Sequence, residues 1–147
     1  MKTLSFLVFM LFLAPAYATG ELGVGFMLGQ PVGVTAKKWV SSTQAIDAGA
    51  GWSIGRNPHF NLHSDYLWHK TDALYFQDDT PLDFYFGAGA RLSFDDEIEL
   101  GARLPVGLAH FFNDRGAEAF FEIAPVMNLI PETNLEGDVM LGLRIYF

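Results

Sequence analysis

Along most of the chain apolar and polar residues alternate one for one, the period that a pleated strand imposes on the two faces of a sheet. In 139–147, Val139, Leu141, Leu143, Ile145 and Phe147 share one face, and Met140, Gly142, Arg144 and Tyr146 share the other. Seven earlier stretches read the same way. In 22–28, Leu22, Val24, Phe26 and Leu28 oppose Gly23, Gly25 and Met27. In 34–40, Thr35, Lys37 and Trp39 oppose Val34, Ala36, Lys38 and Val40, with Lys38 breaking the apolar face. In 45–54, Ile46, Ala48, Ala50, Trp52 and Ile54 oppose Asp47, Gly49, Gly51 and Ser53; in 60–69, Phe60, Leu62, Tyr66 and Trp68 oppose Asn61, His63, Asp65 and His69. Stretches 82–93, 98–108 and 121–129 set Asp83, Tyr85 and Arg91, then Glu99 and Arg103, then Glu122 and Asn128, against apolar rows. Pro105 and Pro125 fall inside two of these stretches, where each removes a ladder donor, and read as candidate bulges.

Stretches of about ten alternating residues separated by turn residues predict an all-β fold. The architecture expected is an eight-stranded antiparallel up-and-down transmembrane β-barrel with short loops, lipid outside and a polar lumen inside. A soluble barrel also alternates, with its apolar face inward. Three features favour the membrane. The polar face carries Gly and opposite charges rather than Lys, Thr and Glu; the chain closes on an apolar strand; and Pro and polar residues cluster in short connectors, leaving little hydrophilic surface. An even strand count puts both termini on one side, taken as the periplasm. The outward connectors are then 29–33, 55–59, 94–97 and 130–136, and the inward ones 41–44, a longer 70–81, and 113–116. Trp39, Trp68, Phe84, Phe112, Phe121 and Phe147 gather near the periplasmic end, as an aromatic girdle would.

The N-terminus changes the picture of the compartment. Lys2, an apolar core over 4–13 and the small-x-small Ala16-Tyr17-Ala18 read as a secretory signal peptide, residues 1–18, with 19–147 as the barrel. That core is shorter than the roughly 20 apolar residues a spanning helix needs. The chain has no Cys, which excludes disulfides and thiolate chemistry. Its formal net charge of −8 argues against nucleic acid or anionic lipid as an electrostatically held partner. With 14 Phe, 15 Gly and only 9 Lys and Arg together, the composition suits a barrel wall better than a soluble surface.

The inward charges define the candidate chemistry. Lys37, Arg91, Arg103 and Arg144 face Asp47, Asp65, Asp83, Glu99 and Glu122, with His63 and His69 nearby. An eight-stranded barrel is just wide enough for side chains to fill, so these charges are expected to pair in a structural network. Arg suits this because its planar fork bridges two carboxylates. A narrow pore is the sharper reading of the same residues. Metal ligation through His63, His69, Asp65 and Asp47 is the lesser alternative to a place in that network, and no metal or cofactor is expected. A lipid-modifying hydrolase needs Ser beside His and a carboxylate. Ser64, however, points outward while its neighbours His63 and Asp65 point inward, so catalysis is not expected.

The alternating strands, short connectors and terminal Phe resemble the OmpX/OmpA transmembrane-domain class of small outer-membrane barrels. More narrowly, Gly29-Gln-Pro-Val-Gly-Val-Thr-Ala-Lys37-Lys-Trp39, Asp65-Tyr-Leu-Trp-His69, Tyr85-Phe-Gly-Ala-Gly-Ala-Arg91, Arg103-Leu-Pro-Val-Gly107 and Phe121-Glu-Ile-Ala-Pro-Val126 resemble a bacterial outer-membrane barrel family without an established activity. The resemblance implies fold and location and carries over no catalytic residue. It also implies a monomer surrounded by outer-membrane lipid and lipopolysaccharide, delivered by the barrel assembly machinery with Phe147 in the recognition signal. The long protruding loops of adhesive members are missing here.

Overall fold

The structure, a computed structural model, describes residues 20–54, 58–77, 79–112 and 114–147. The proposed signal peptide, 1–18, lies outside the described residues, as do 55–57, 78 and 113 in three of the predicted connectors. Among the described residues there are nine strands: β1 (Leu22–Gln30), β2 (Val32–Trp39), β3 (Gln44–Ser53), β4 (His59–Phe76), β5 (Thr80–Phe94), β6 (Ile98–Arg103), β7 (Val106–Phe112), β8 (Ala117–Ile130) and β9 (Asn134–Tyr146). All pair antiparallel. The order runs β4-β3-β2-β1-β9-β8, then β6 and β7 side by side with β5, and β5 returns to β4, so the ring is closed. Closure removes the sheet edges that would otherwise invite aggregation.

Strands β6 and β7 are one stave. Arg103 faces Val126 and Val106 faces Ile123, so the register against β8 is unchanged across Pro105. The nine strands therefore make the eight staves expected. Neither proline marks a bulge. Pro125 sits within β8 on the outward face opposite Gly137, and its carbonyl accepts from Leu104 N–H at 3.0 Å. The Pro105 carbonyl accepts from Gly87 N–H at 2.9 Å. Each proline forfeits its own donor and keeps its acceptor. The irregularity in this stave lies instead between Leu100 and Gly101.

The long 70–81 connector is a second departure. β4 continues to Phe76 and β5 begins at Thr80, so most of the segment is hairpin. The alternation hides this because the register shifts between Lys70 and Leu74, where Asp72 has φ of 51°. Three residues, 71–73, stand opposite the single Asp83, so the strand bulges locally and Leu74 returns to the face of Lys70. The Asp72 N–H donates to Asp83 Oδ1 at 3.0 Å across this kink.

The wall is apolar on its outside. Phe26 (70% exposed), Leu28, Val34, Ile46, Trp52, Phe86, Leu104, Val106, Ile123, Leu141, Leu143 and Ile145 are all exposed, while the residues between them are buried. In water this much contiguous exposed hydrocarbon would be a severe liability; against lipid tails it is the expected surface. Outward-facing Lys38 lies one residue from the end of β2, where a long stem can carry its charge to the interface. Aromatic residues gather at both ends. Trp68 stacks on Phe86 with ring centroids 5.7 Å apart towards the end that holds the termini. Trp52, Phe60 and Phe94 pack together at the other end, at 5.0 and 5.9 Å. Trp39 does not belong to the girdle: it is buried inside, tilted against Phe111 at 5.8 Å.

Candidate functional site: the charged lumen

The core of the protein is the lumen, and its order follows from the cross-strand rows. Where a long inward side chain lies beside an inward Gly, it extends over that Gly to the next stave. In register, Arg103 pairs with Gly89 and Gly89 with Asp65; Arg103 Nη1 crosses the glycine and donates to Asp65 Oδ2. Tyr85 pairs with Gly107 and Gly107 with Glu122; the Tyr85 hydroxyl donates to Glu122 Oε1 at 3.0 Å. A Cβ on Gly107 would stand 2.3 Å from the Tyr85 ring, so the glycine is the space the ring occupies. Arg91, Gly101 and Asn128 repeat the arrangement, with Nη2 3.5 Å from Asn128 Oδ1. The Gly-rich polar face of the sequence is thus a set of troughs for long neighbours.

Two clusters result. Near the termini, Glu118 receives Lys37 Nζ at 2.8 Å, Arg144 Nη1 at 2.6 Å and the Tyr146 hydroxyl at 3.1 Å. Arg144 also donates to Thr35 Oγ1 at 2.9 Å, reaches Asp47 Oδ2 at 3.5 Å and lies 4.0 Å over the Phe120 ring. Lys37 sits 2.8 Å from His69 Nε2 and 4.6 Å from the centre of the Trp39 ring, a cation–π contact in a desolvated site. Further along, Arg103 gathers three carboxylates: Asp65, Glu122 Oε2 at 2.7 Å and Asp138 Oδ2 at 3.3 Å. Arg91 holds Asp138 Oδ1 at 2.9 Å and pairs with Glu136 at the rim. Beyond it, Ser93 donates to Asn61 at 2.7 Å and Asn128 donates to Asn134 at 2.7 Å. Glu118 and Arg103 are both 0% exposed, so each cluster is closed off from solvent at its centre.

The structure therefore brings together Lys37, Asp47, Asp65, Arg91, Arg103, Glu122 and Arg144. Two residues of the expected network stand apart. Asp83 is buried, but it caps the Asp72 bulge and faces His69 Nδ1 at 3.4 Å rather than any Lys or Arg. Glu99 is half-buried near the far end of β6, where solvent replaces a partner; none of the described cations pairs with it. Three acids went unread. Glu118 lies in the part of β8 that precedes Phe121, and Glu136 and Asp138 lie in β9 before Val139. Extending the alternation backwards from Glu122 would have found Glu118; the small Ala119 outside and apolar Phe120 inside blurred it. Nor is the lumen wholly ionic. Met27, Leu67, Ala109, Phe120 and Met140 are buried around Tyr85, and Trp39, Ala45 and Tyr146 close the end near the termini.

The serines are engaged elsewhere than a hydrolase requires. The outward Ser64 hydroxyl donates to the Asp47 carbonyl at 3.0 Å, and Ser93 donates to Asn61. Neither is hydrogen-bonded to His63 or His69. Phe147 continues the closing seam: its N–H donates to the Leu22 carbonyl at 2.8 Å, and its own carbonyl accepts from Gly20.

No family model matches the chain, and no curated protein does. Among solved structures it is similar to the crystal structure of Neisserial surface protein A (NspA), with a TM-score of 0.55 and 12% sequence identity over 86% of this chain and 94% of that one. The likeness is one of fold: the ring of eight staves is shared, and residue roles do not transfer at this identity.

Proposed function

We propose that this chain is a small integral outer-membrane barrel whose role is structural or envelope-related, with a plugged, non-catalytic lumen. One observation carries the reading: the protein is inside out. Ten charged side chains are buried within the ring, while the outer wall between the aromatic belts is hydrocarbon. A soluble barrel inverts that arrangement. The similarity of fold to a protein named as a surface protein agrees with an envelope location. The surrounding lipid and lipopolysaccharide and the assembly machinery that delivers the barrel are its expected partners, with Phe147 in the assembly signal; the chain is expected to work as a monomer.

Cell fractionation tests this directly. The protein should sediment with outer membranes and shift in electrophoretic mobility on boiling. A soluble periplasmic protein without heat-modifiable mobility would overturn the proposal. Bilayer recordings should show no steady conductance, because filled and paired side chains leave no file of water. Removal of Phe147 should lower the yield of assembled barrel in cells without preventing refolding into detergent in vitro.

A further inference from the structure

Of the buried polar atoms without a donor or acceptor among the described residues, two lie together on facing aspartates. In register, Asp47 on β3 faces Asp65 on β4 directly, a like-charge pair that is unfavourable across two strands. Both are 2% exposed. Arginines hold one oxygen of each: Arg144 at Asp47 Oδ2 and Arg103 at Asp65 Oδ2. The other oxygens, Asp47 Oδ1 and Asp65 Oδ1, are buried, and no other described N–H or O–H group donates to them; the two carboxyls have only each other, joined when one carries a proton. Such orphaned acceptors are uncommon and call for a specific partner. Beside them stands His63, two residues from Asp65 on the same face of β4. Its Nε2 is 4.0 Å from Asp65 Oδ2, too far for a hydrogen bond. A ring nitrogen of His63 and one carboxylate oxygen from each Asp lie within 4.8 Å of one another.

We infer that Asp47, His63 and Asp65 form a site for one first-row divalent cation of the Zn²⁺ type. The donor set is one imidazole nitrogen and two carboxylate oxygens, which suits a borderline ion; Mg²⁺ and Ca²⁺ prefer oxygen ligands alone. Tetrahedral ligand bonds of about 2.0–2.2 Å set donor atoms about 3.4 Å apart, so the three groups draw inward from a spacing of up to 4.8 Å. The neighbouring glycines seat two of the ligands. A Cβ on Gly89 would stand 2.2 Å from Asp65 Oδ1, and one on Gly49 would stand 2.3 Å from the His63 ring. Among the described residues six buried acidic side chains (Asp47, Asp65, Asp83, Glu118, Glu122, Asp138) outnumber four buried cations (Lys37, Arg91, Arg103, Arg144), and an added cation at the Asp47–Asp65 junction relieves the repulsion there. The two arginines that lower affinity for a cation there also hold both carboxylates in place, so the ion inserts into a preorganised pair.

The test uses the full barrel refolded into detergent micelles with Zn²⁺ or Co²⁺ present, then washed with chelator. Elemental analysis of the folded, heat-modifiable fraction should find about one metal ion per chain, and bound Co²⁺ should show ligand-field absorption altered from that of the aqueous ion. His63→Gln should keep the fold, because no described group hydrogen-bonds His63 and the Gln side chain refills most of the trough over Gly49, yet lose affinity by at least about tenfold. Asp47→Asn should do the same; if that variant fails to fold, His63→Gln alone decides. A folded wild-type barrel that retains neither Zn²⁺ nor Co²⁺ would overturn the site and leave a proton shared by the two carboxylates as the partner. Metal content unchanged in His63→Gln would equally overturn it.

Discussion

The two ends of the lumen solve the same problem, burying a cation inside a narrow barrel, in opposite ways. At the end near the termini Lys37 is enclosed by rings, with Trp39, Tyr85 and Phe111 at 4.6, 5.5 and 5.6 Å, and depends on Glu118 for its counter-charge. At the other end Arg91 is surrounded by Asn, Ser and carboxylates, and one partner, Glu136, has a side chain 40% exposed. The first end is dry and the second opens towards solvent. A charge unpaired at the dry end has no water to turn to, so its partner should matter far more.

The largest effect should follow Glu118→Gln, which takes the shared counter-charge from Lys37 and Arg144. Unpairing a buried ion costs about 3–5 kcal/mol. Urea unfolding in micelles, followed by tryptophan fluorescence and electrophoretic mobility, should show a loss of that size. Arg91→Met should cost less, about 2 kcal/mol, the scale of one charge-assisted hydrogen bond. Asp138 keeps Arg103 at 3.3 Å, and Glu136 can turn to water. Equal losses in the two variants would refute the contrast between the ends. Tyr85→Phe, at a residue placed between the two ends, should cost less again. Its ring stacks on His69 at 4.9 Å and stays in place, while Glu122 loses one of its two donors and keeps Arg103. About 1 kcal/mol is expected from the same unfolding measurement.

The contrast was only half legible in the residue order. Strict alternation exposed the staves and most inward charges, because a period of two assigns faces without knowledge of neighbours. It could not show which charges meet, since Arg103 reaches Asp65 by crossing Gly89, a contact set by register around the ring and not by spacing along the chain. Nor could it show dryness. Trp39 was read both as facing inward with Lys37 and as part of a lipid-facing girdle, and packing against Phe111 settles it inside. The bulge at Asp72 hid the hairpin for a local reason: Lys70, Thr71 and Asp72 are polar on both faces and residues 70–77 are exposed throughout, so the segment reads as a connector.

The smallest effect sharpens the comparison most. Glu136 makes a close ion pair with Arg91, and by distance alone that contact ranks among the strong ones. Exposure argues otherwise. A carboxylate whose side chain is 40% exposed remains hydrated, so the attraction it gains from Arg91 is screened and its desolvation is slight. Arg91 also keeps Asp138 at 2.9 Å when Glu136 is neutralised. Glu136→Gln should therefore change stability by less than about 1 kcal/mol, and raising the salt concentration should erode even that difference. Glu118→Gln, the same chemical change at the dry end, should be insensitive to salt. Were the two substitutions to respond to salt alike, burial would not be what separates the two ends of the lumen.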